Sequence, residues 1–327
     1  MSKIYKLSLK QKSGLLTPLH SDTIFGHFCW RLLEADGENT LTEFLELYKE
    51  DKPVFTISNG LLEVNGELLF PKPLKLPPYV PKAVSKKEKV KNFIINKELK
   101  GRSQITVDEL NLYLNNNMND FRDSFANNKQ LEIPKVHSDL RISVQIDRET
   151  NRAMDGQLFS YSPSYLNDNN NKTNHALLIK IIDEAAFESF NSEAILKSIF
   201  QLGYGKKKSS GYGEFKILSF EKYDKIAEPS NANAFMNLSN YLPAENDKIV
   251  DGFFETSLKY GKLGENYSNS ENPFKNPILF MKEGSLFSTT TNKDFYGRIT
   301  KHSEINSVKP DTFQCGFSFS LKALIKD

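Results

Sequence analysis

Residues 203–213, Gly-Tyr-Gly-Lys-Lys-Lys-Ser-Ser-Gly-Tyr-Gly, place four glycines, three lysines and two adjacent hydroxyls in one short segment. Those residue types suit the holding of an anionic backbone. Gly203, Gly205, Gly211 and Gly213 allow φ > 0 and remove side-chain bulk, so amide N–H groups can approach phosphate oxygens. Lys206, Lys207 and Lys208 add long-range attraction, and Ser209 and Ser210 add short hydrogen bonds. Tyr204 and Tyr212 offer rings for a base to stack on or for the domain to pack against. A solubilising surface turn has a similar composition, but the flanks favour a site. Phe190, Ala194, Ile195, Ile199, Phe200 and Leu202 recur at helical spacing, and Glu214 to Leu218 alternates as a strand, so core elements pin both ends. The loop is not a nucleotide P-loop: it lacks the closing Gly-Lys-Ser/Thr, and it runs from helix to strand. The dinucleotide pattern G-x-G-x-x-G fails as well, because position 208 is lysine.

His20-Ser-Asp22 contains the residue types of a hydrolytic triad, but three consecutive residues at a strand-to-helix turn cannot face one another. Ser21 and Asp22 are expected to cap the helix that follows, at a positive terminus able to receive a phosphate. His27, one turn further in, reads as a packed or interface histidine. The five histidines are scattered at 20, 27, 137, 175 and 302 and carboxylates do not cluster, so neither zinc nor a metal-dependent nuclease centre is expected, and no cofactor is called for. One enzyme reading stays open: a metal-independent endoribonuclease using His20 as base on a 2′-hydroxyl, with Lys206 to Lys208 stabilising the phosphorane.

The elements that must position these groups begin with a strand over residues 3–10. A helix follows from Asp22 to Ala35, then a second to about Lys49 opened by the capping box Thr40-Leu-Thr-Glu43. Pro53 to Ser58 reads as a strand and the proline-rich Pro71 to Pro81 as an extended crossing. Capping signatures at Ser85–Glu88 and Thr106–Glu109 bracket a small helical insertion, about 82–118. From Lys82 to Arg102 eight basic residues face only Glu88 and Glu98, with Phe93, Ile94 and Ile95 among them and Lys72 and Lys75 upstream. That stretch is either a solvated helix face or part of a groove joined in space to the lysines at 206–208.

Leu140, Ile142, Val144 and Ile146 alternate with polar residues as a half-buried strand. With Gln157 to Tyr161 it makes a long hairpin, projecting over about 147–161, whose tip carries Arg148, Arg152, Ala153 and Met154. Asn167 to Asn174 reads as a loop and His175 to Ile182 as a buried strand. Strand, helix, strand, then strand, helix, strand is the order of a ferredoxin-like sandwich with insertions, over residues 1–218. Residues 219–327 read as a second, strand-dominated domain and a degenerate copy of the first. Its candidate strands are Ala234–Leu238, Gly252–Leu258, Ile278–Met281 and Phe313–Leu321. The fold class is therefore α+β.

The 327 residues, 39% of them hydrophobic, suffice for two packed domains, and Cys29 and Cys315 sit in apolar runs as buried thiols. With 43 basic against 41 acidic residues the net charge is only +2, which excludes a bulk nucleic-acid coater and puts the weight on local charge. No apolar run is long enough for a membrane span, so a cytoplasmic protein is expected.

Gly203 to Phe215 is similar to the glycine-rich signature of the RAMP superfamily of CRISPR-associated RNA-binding proteins. Ser21-Asp-Thr-Ile-Phe-Gly26 resembles the N-terminal motif of the subunit-4 family of the type III-A Csm effector complex, and Gln314 to Phe319 looks like that family's last strand. The resemblance implies two ferredoxin-like (RRM-like) domains that cap one end of a ribonucleoprotein and grip the 5′ handle of the crRNA. It implies contact with the large polymerase-domain subunit on one side and the backbone RAMP subunit on the other. It also makes the hairpin a thumb that wedges at the duplex of guide and target RNA. The resemblance further implies a subunit that does not itself cut RNA. Where family members carry a longer Gly-rich segment with its own histidine, this chain has Thr17-Pro-Leu-His20, so the resemblance fixes no equivalent position for His20, which with Ser21 and Asp22 is expected as a helix-cap or RNA-contact residue. The corresponding subunit of the Cmr-type complex is a sister reading, and an assembly module without specific RNA recognition is a further alternative.

Overall fold

The computed structural model describes residues 3–75, 101–127, 133–167, 172–264, 273–305 and 312–325, with residues 85, 87, 90, 93 and 97 in isolation. The proline-rich crossing, the Ser85 cap, the basic stretch 82–102 and the Asn-rich loop fall largely outside them. In chain order the first part runs β1 (Lys3–Gln11), α1 (Ser21–Lys49), β2 (Phe55–Ile57), β3 (Leu61–Val64), β4 (Glu67–Pro71), β5 (Gln104–Thr106), α2 (Val107–Leu114) and α3 (Met118–Asn127). Then come β6 (Val136–Ser138), β7 (Arg141–Ile146), β8 (Ala153–Tyr161), β9 (Ser164–Leu166), β10 (Thr173–Ile181), α4 (Glu184–Ser189), α5 (Ser192–Gln201) and β11 (Phe215–Lys222). The remainder is β12 (Ala234–Asn237), β13 (Ile249–Phe253), β14 (Thr256–Lys259), β15 (Ile278–Met281), β16 (Leu286–Thr289), α6 (His302–Ile305) and β17 (Ser320–Ala323).

A seven-stranded antiparallel sheet organises the first part, in the order β11-β1-β10-β3-β4-β5 with β2 also on β10. In its central strand β10 the residues Ala176 to Ile179 form an unbroken apolar run because both faces are covered. Successive side chains point to opposite faces. Leu7, Leu9, Leu177 and Ile179 therefore meet α1 and α5, whereas Ala176 and Leu178 join Met236, Leu286 and Leu321 of a second sheet. That sheet has the order β13-β16-β12-β17. The two parts share one core, and residue 218, the expected end of the first domain, lies within β11. The polar face of β1 is also buried: Lys6 and Glu63 pair at 2.7 Å with side chains only 9% and 5% exposed.

Gly37, at φ 86° and ψ 179°, breaks α1 into the two helices expected. Thr40 does not cap the second, since its hydroxyl donates to the Asp36 carbonyl at 3.1 Å. The Thr106–Glu109 capping box does form, a feature that contributes about 1 kcal/mol. The run expected as one strand, Gly252–Leu258, divides between β13 and β14 in separate sheets, and β16 was not legible at all. The alternation in β7 does not mark a half-buried strand: Ile142 and its cross-strand neighbour region at Leu158 are 65% and 69% exposed.

Candidate nucleic-acid interface

Three segments converge on the glycine-rich loop. Residues 12–20, which connect β1 to α1, run beside it: Gly213 N donates to Gly14 O (3.0 Å), Lys206 N to Thr17 Oγ1 (2.9 Å) and Glu214 N to Ser13 Oγ (2.9 Å). Leu15 exchanges backbone hydrogen bonds of 2.9 Å with Ser164, bringing the base of the hairpin to the same place. From α1, His27 accepts the Gly205 N–H on Nε2 at 3.1 Å.

These bonds correct one expectation. The N–H groups of Gly205, Gly211 and Gly213 donate to protein acceptors, so those glycines do not offer them to phosphate. Their work is conformational. At Gly205 (φ 78°) a Cβ would lie 2.5 Å from Thr17 Cβ, and at Gly213 (φ 70°) it would lie 1.9 Å from the Tyr204 carbonyl oxygen. The close approach folds the loop so that the Lys206, Ser209 and Ser210 side chains stand exposed while Lys207 and Lys208 are half-buried. Tyr204 is fully buried, its ring beside Phe200 and His27 and its hydroxyl donating to Pro18 O at 2.7 Å, so it packs the domain and meets no base. Tyr212 is half-buried and faces the hairpin.

The hairpin contributes residues that sequence reading missed. Cross-strand pairing puts Arg141, Ser143, Phe159 and Tyr161 on one face, with Ile142, Val144 and Leu158 on the other. The first face turns to the loop. Lys207 Nζ sits 3.8 Å above the Tyr161 ring centroid and 4.8 Å from that of Phe159. Tyr212 packs edge-on to Tyr161 at 5.7 Å and donates to its hydroxyl at 3.4 Å. Arg141 donates to Tyr212 and Tyr165 hydroxyls at 3.4 and 3.3 Å. The hydrogen bond from Ser143, then that from Tyr212 and the Lys207 charge, hold the Tyr161 phenol down to about 8. Aromatic residues in a period-2 strand read as core; only their proximity to a lysine-rich loop distinguishes these.

At the tip, Asp147 accepts the Glu149 and Thr150 amides at 2.8 and 3.3 Å, which lowers its pKa and shapes the turn. Arg148, Arg152, Ala153 and Met154 are all exposed there.

Ser21 and Asp22 do not cap α1. The cap position is His20, half-buried, its imidazole pKa lowered first by burial and then by Lys259. Ser21 and Asp22 are buried instead, and clamp α1 to the second part of the chain. Asn240 N donates to Ser21 Oγ (3.0 Å) and Asn240 Nδ2 to Asp22 Oδ1 (2.8 Å), while Gln314 and Lys259 both bind Asp22 Oδ2. Asn59 Oδ1 accepts the Ser21 amide at 2.9 Å. On the outer face Gly26 has open space where a Cβ would stand.

Lys72 and Lys75, upstream of the basic stretch, do not join the loop. Lys72 N bonds Ser103 O at 2.9 Å and Lys75 Nζ lies 4.5 Å over Phe253, both by the β4–β5 edge. Four strand spacings, ~19 Å, separate β4 from β11. Among the described residues no group of three His, Cys, Asp or Glu is placed to hold a metal ion, and no helix is long and apolar enough to cross a membrane.

No protein-family model matches this sequence. Comparison with curated proteins found no significant match either. Solved structures do match. A chain of the Csm1–Csm4 cassette in complex with pppApA aligns with a TM-score of 0.61 at 14% identity, covering 99% of this chain and 99% of that one. The cassette in complex with AMPPNP gives the same values. A chain of the Csm3–Csm4 subcomplex of the type III-A CRISPR-Cas interference complex aligns with a TM-score of 0.60 at 16% identity, covering 97% and 99%. The mixed α/β fold, with its antiparallel sheets, is shared with these chains from end to end.

Proposed function

We propose that this chain is the crRNA-binding subunit of a type III-A CRISPR effector complex, a RAMP protein of the Csm4 kind acting in antiviral defence. The observation that carries this reading is the fold match over both whole chains in two different binary assemblies. Csm4 is the one subunit common to the Csm1–Csm4 and Csm3–Csm4 structures. On this reading the first part, with connectivity β1-α1-β2/β3-β10-α5-β11 and spatial order β11-β1-β10-β3, is a ferredoxin-like domain, and the second part is its strand-rich, degenerate counterpart.

The geometry supports a division of labour. Lys206, Lys207, Lys208, Ser209 and Ser210 contact phosphate and sugar oxygens of the 5′ handle, on a loop whose glycines set its shape. Single-stranded RNA is read through unstacked bases and 2′-hydroxyls rather than duplex grooves. The exposed hairpin, with Arg148, Arg152, Ala153 and Met154 at its tip, reaches target RNA paired to the guide. The protein works in the cytoplasm, positions RNA without cutting it, and bridges the large polymerase-domain subunit to the backbone subunit.

Co-expression with the large and backbone subunits and a crRNA array tests this reading. One complex containing all three proteins and crRNA is expected, with the large subunit lost when this chain is omitted. A large subunit that stays attached to the backbone without it contradicts the bridging role.

A further inference from the structure

The cluster at the hairpin base has a composition that phosphate binding alone does not explain. Four aromatic side chains, Phe159, Tyr161, Tyr165 and Tyr212, gather round two cations, Lys207 and Arg141, beside the exposed lysine and serines of the loop. None of these rings belongs to the buried core clusters, and Phe159 is 44% exposed. The hydroxyl contacts that link them, between 3.3 and 3.5 Å, are long. Lys207 is held over the rings by a left-handed backbone (φ 60°), which aims its side chain across the loop instead of outward with Lys206.

An ammonium over an aromatic face occupies the place a flat, unstacked base takes in single-strand recognition, where stacking is available to every base. The opposite hairpin face bears Ile142, Val144 and Leu158 and offers no ring. Arg141 uses two of its five N–H donors on tyrosine hydroxyls and keeps others for a base edge or phosphate.

We propose that Tyr161 and Phe159, walled by Tyr212, seat one unpaired base of the bound single-stranded RNA, and that Lys207, which covers the rings in the free protein, moves to that nucleotide's phosphate when the base enters. The inference rests on the RNA-binding reading above and adds a contact to a base to a loop that would otherwise hold backbone only.

The test uses the full chain, the 5′-handle RNA of its own array, and a set of that RNA carrying one abasic site at each position in turn. One abasic position is expected to weaken binding roughly tenfold to a hundredfold. Tyr161→Leu should weaken binding of intact RNA by a similar factor and bind that abasic RNA no worse than intact RNA, whereas Tyr161→Phe, which keeps the ring, stays within about twofold of wild type. Phe159→Leu supplies the same cycle should Tyr161→Leu fail to fold. If every abasic position adds its loss independently to that of both leucine variants, the base seat is wrong while lysine-dependent handle binding stands. If wild-type protein does not prefer the handle over a scrambled RNA, the RNA-binding reading itself falls, and this inference with it.

Discussion

The two sequence motifs at the N-terminus of α1 and before β11 have similar polar content and opposite uses. Ser21 and Asp22 turn inward, where Asn59, Asn240, Lys259 and Gln314 satisfy them, and they join the two parts of the molecule. Residues 203–213 spend their backbone inward and leave lysine and serine side chains at the surface. A motif's residue types therefore do not reveal its direction. Burial does, and with it the distinction between a group that holds the fold and one that meets a ligand.

The contrast is sharpest in stability. Asp22→Ala removes the partner of a half-shielded lysine and two buried hydrogen bonds, so denaturant unfolding should show a loss of about 3–5 kcal/mol, with RNA affinity unchanged at temperatures where the variant is folded. Within the loop, Gly213→Ala should cost on the order of 2–3 kcal/mol because its Cβ collides with the Tyr204 carbonyl. Gly211→Ala, at φ 83° but in open space, should cost only about 1 kcal/mol. Equal costs for the two would dissolve the case for a shape set by close approach. The lysines should behave in reverse: alanine at 206, 207 or 208 leaves the unfolding midpoint within about 0.5 kcal/mol of wild type. Each should still lower the slope of log K against log salt by roughly 0.7.

The smallest effect concerns pH. Above about 8, Tyr161 ionises beside Lys207, with Tyr212, Ser143 and Arg141 as its other polar neighbours. The phenolate offsets the ammonium and repels phosphate, so handle affinity should fall between pH 7.5 and 9 by a few fold, and Tyr161→Phe should flatten that dependence. A phenol depressed below its unfolded value adds stability as pH rises through 8, so lost binding in this window is not lost fold. An identical pH profile in Tyr161→Phe would show that ionisation of the Tyr161 phenol does not govern handle binding.

Much of this architecture was legible because it is local. Phe190 to Leu202 and Glu214 to Leu218 bracket the loop in sequence as in space, and the Thr106 box reports its own helix start. The role of Asp22 was not legible, since Asn240 and Gln314 reach it from far along the chain and no window contains both ends. The hairpin misled for another reason. Period-2 alternation records that one face is apolar, but it does not say whether that face meets a core or stays open, as Ile142 and Leu158 do. The aromatic cluster was hidden because Tyr161 and Tyr212 come together only through the β7–β8 pairing and the fold of the glycine loop.

The most direct test compares binding of wild-type protein and the Lys206→Ala, Lys207→Ala, Lys208→Ala triple variant to 5′-handle RNA and to a scrambled control, with the RNA inspected on a gel afterwards. Preferential handle binding that collapses in the triple variant, with every RNA intact, is the predicted result. Binding that ignores both the handle sequence and the lysines, or RNA cut in a manner that depends on His20, would contradict it.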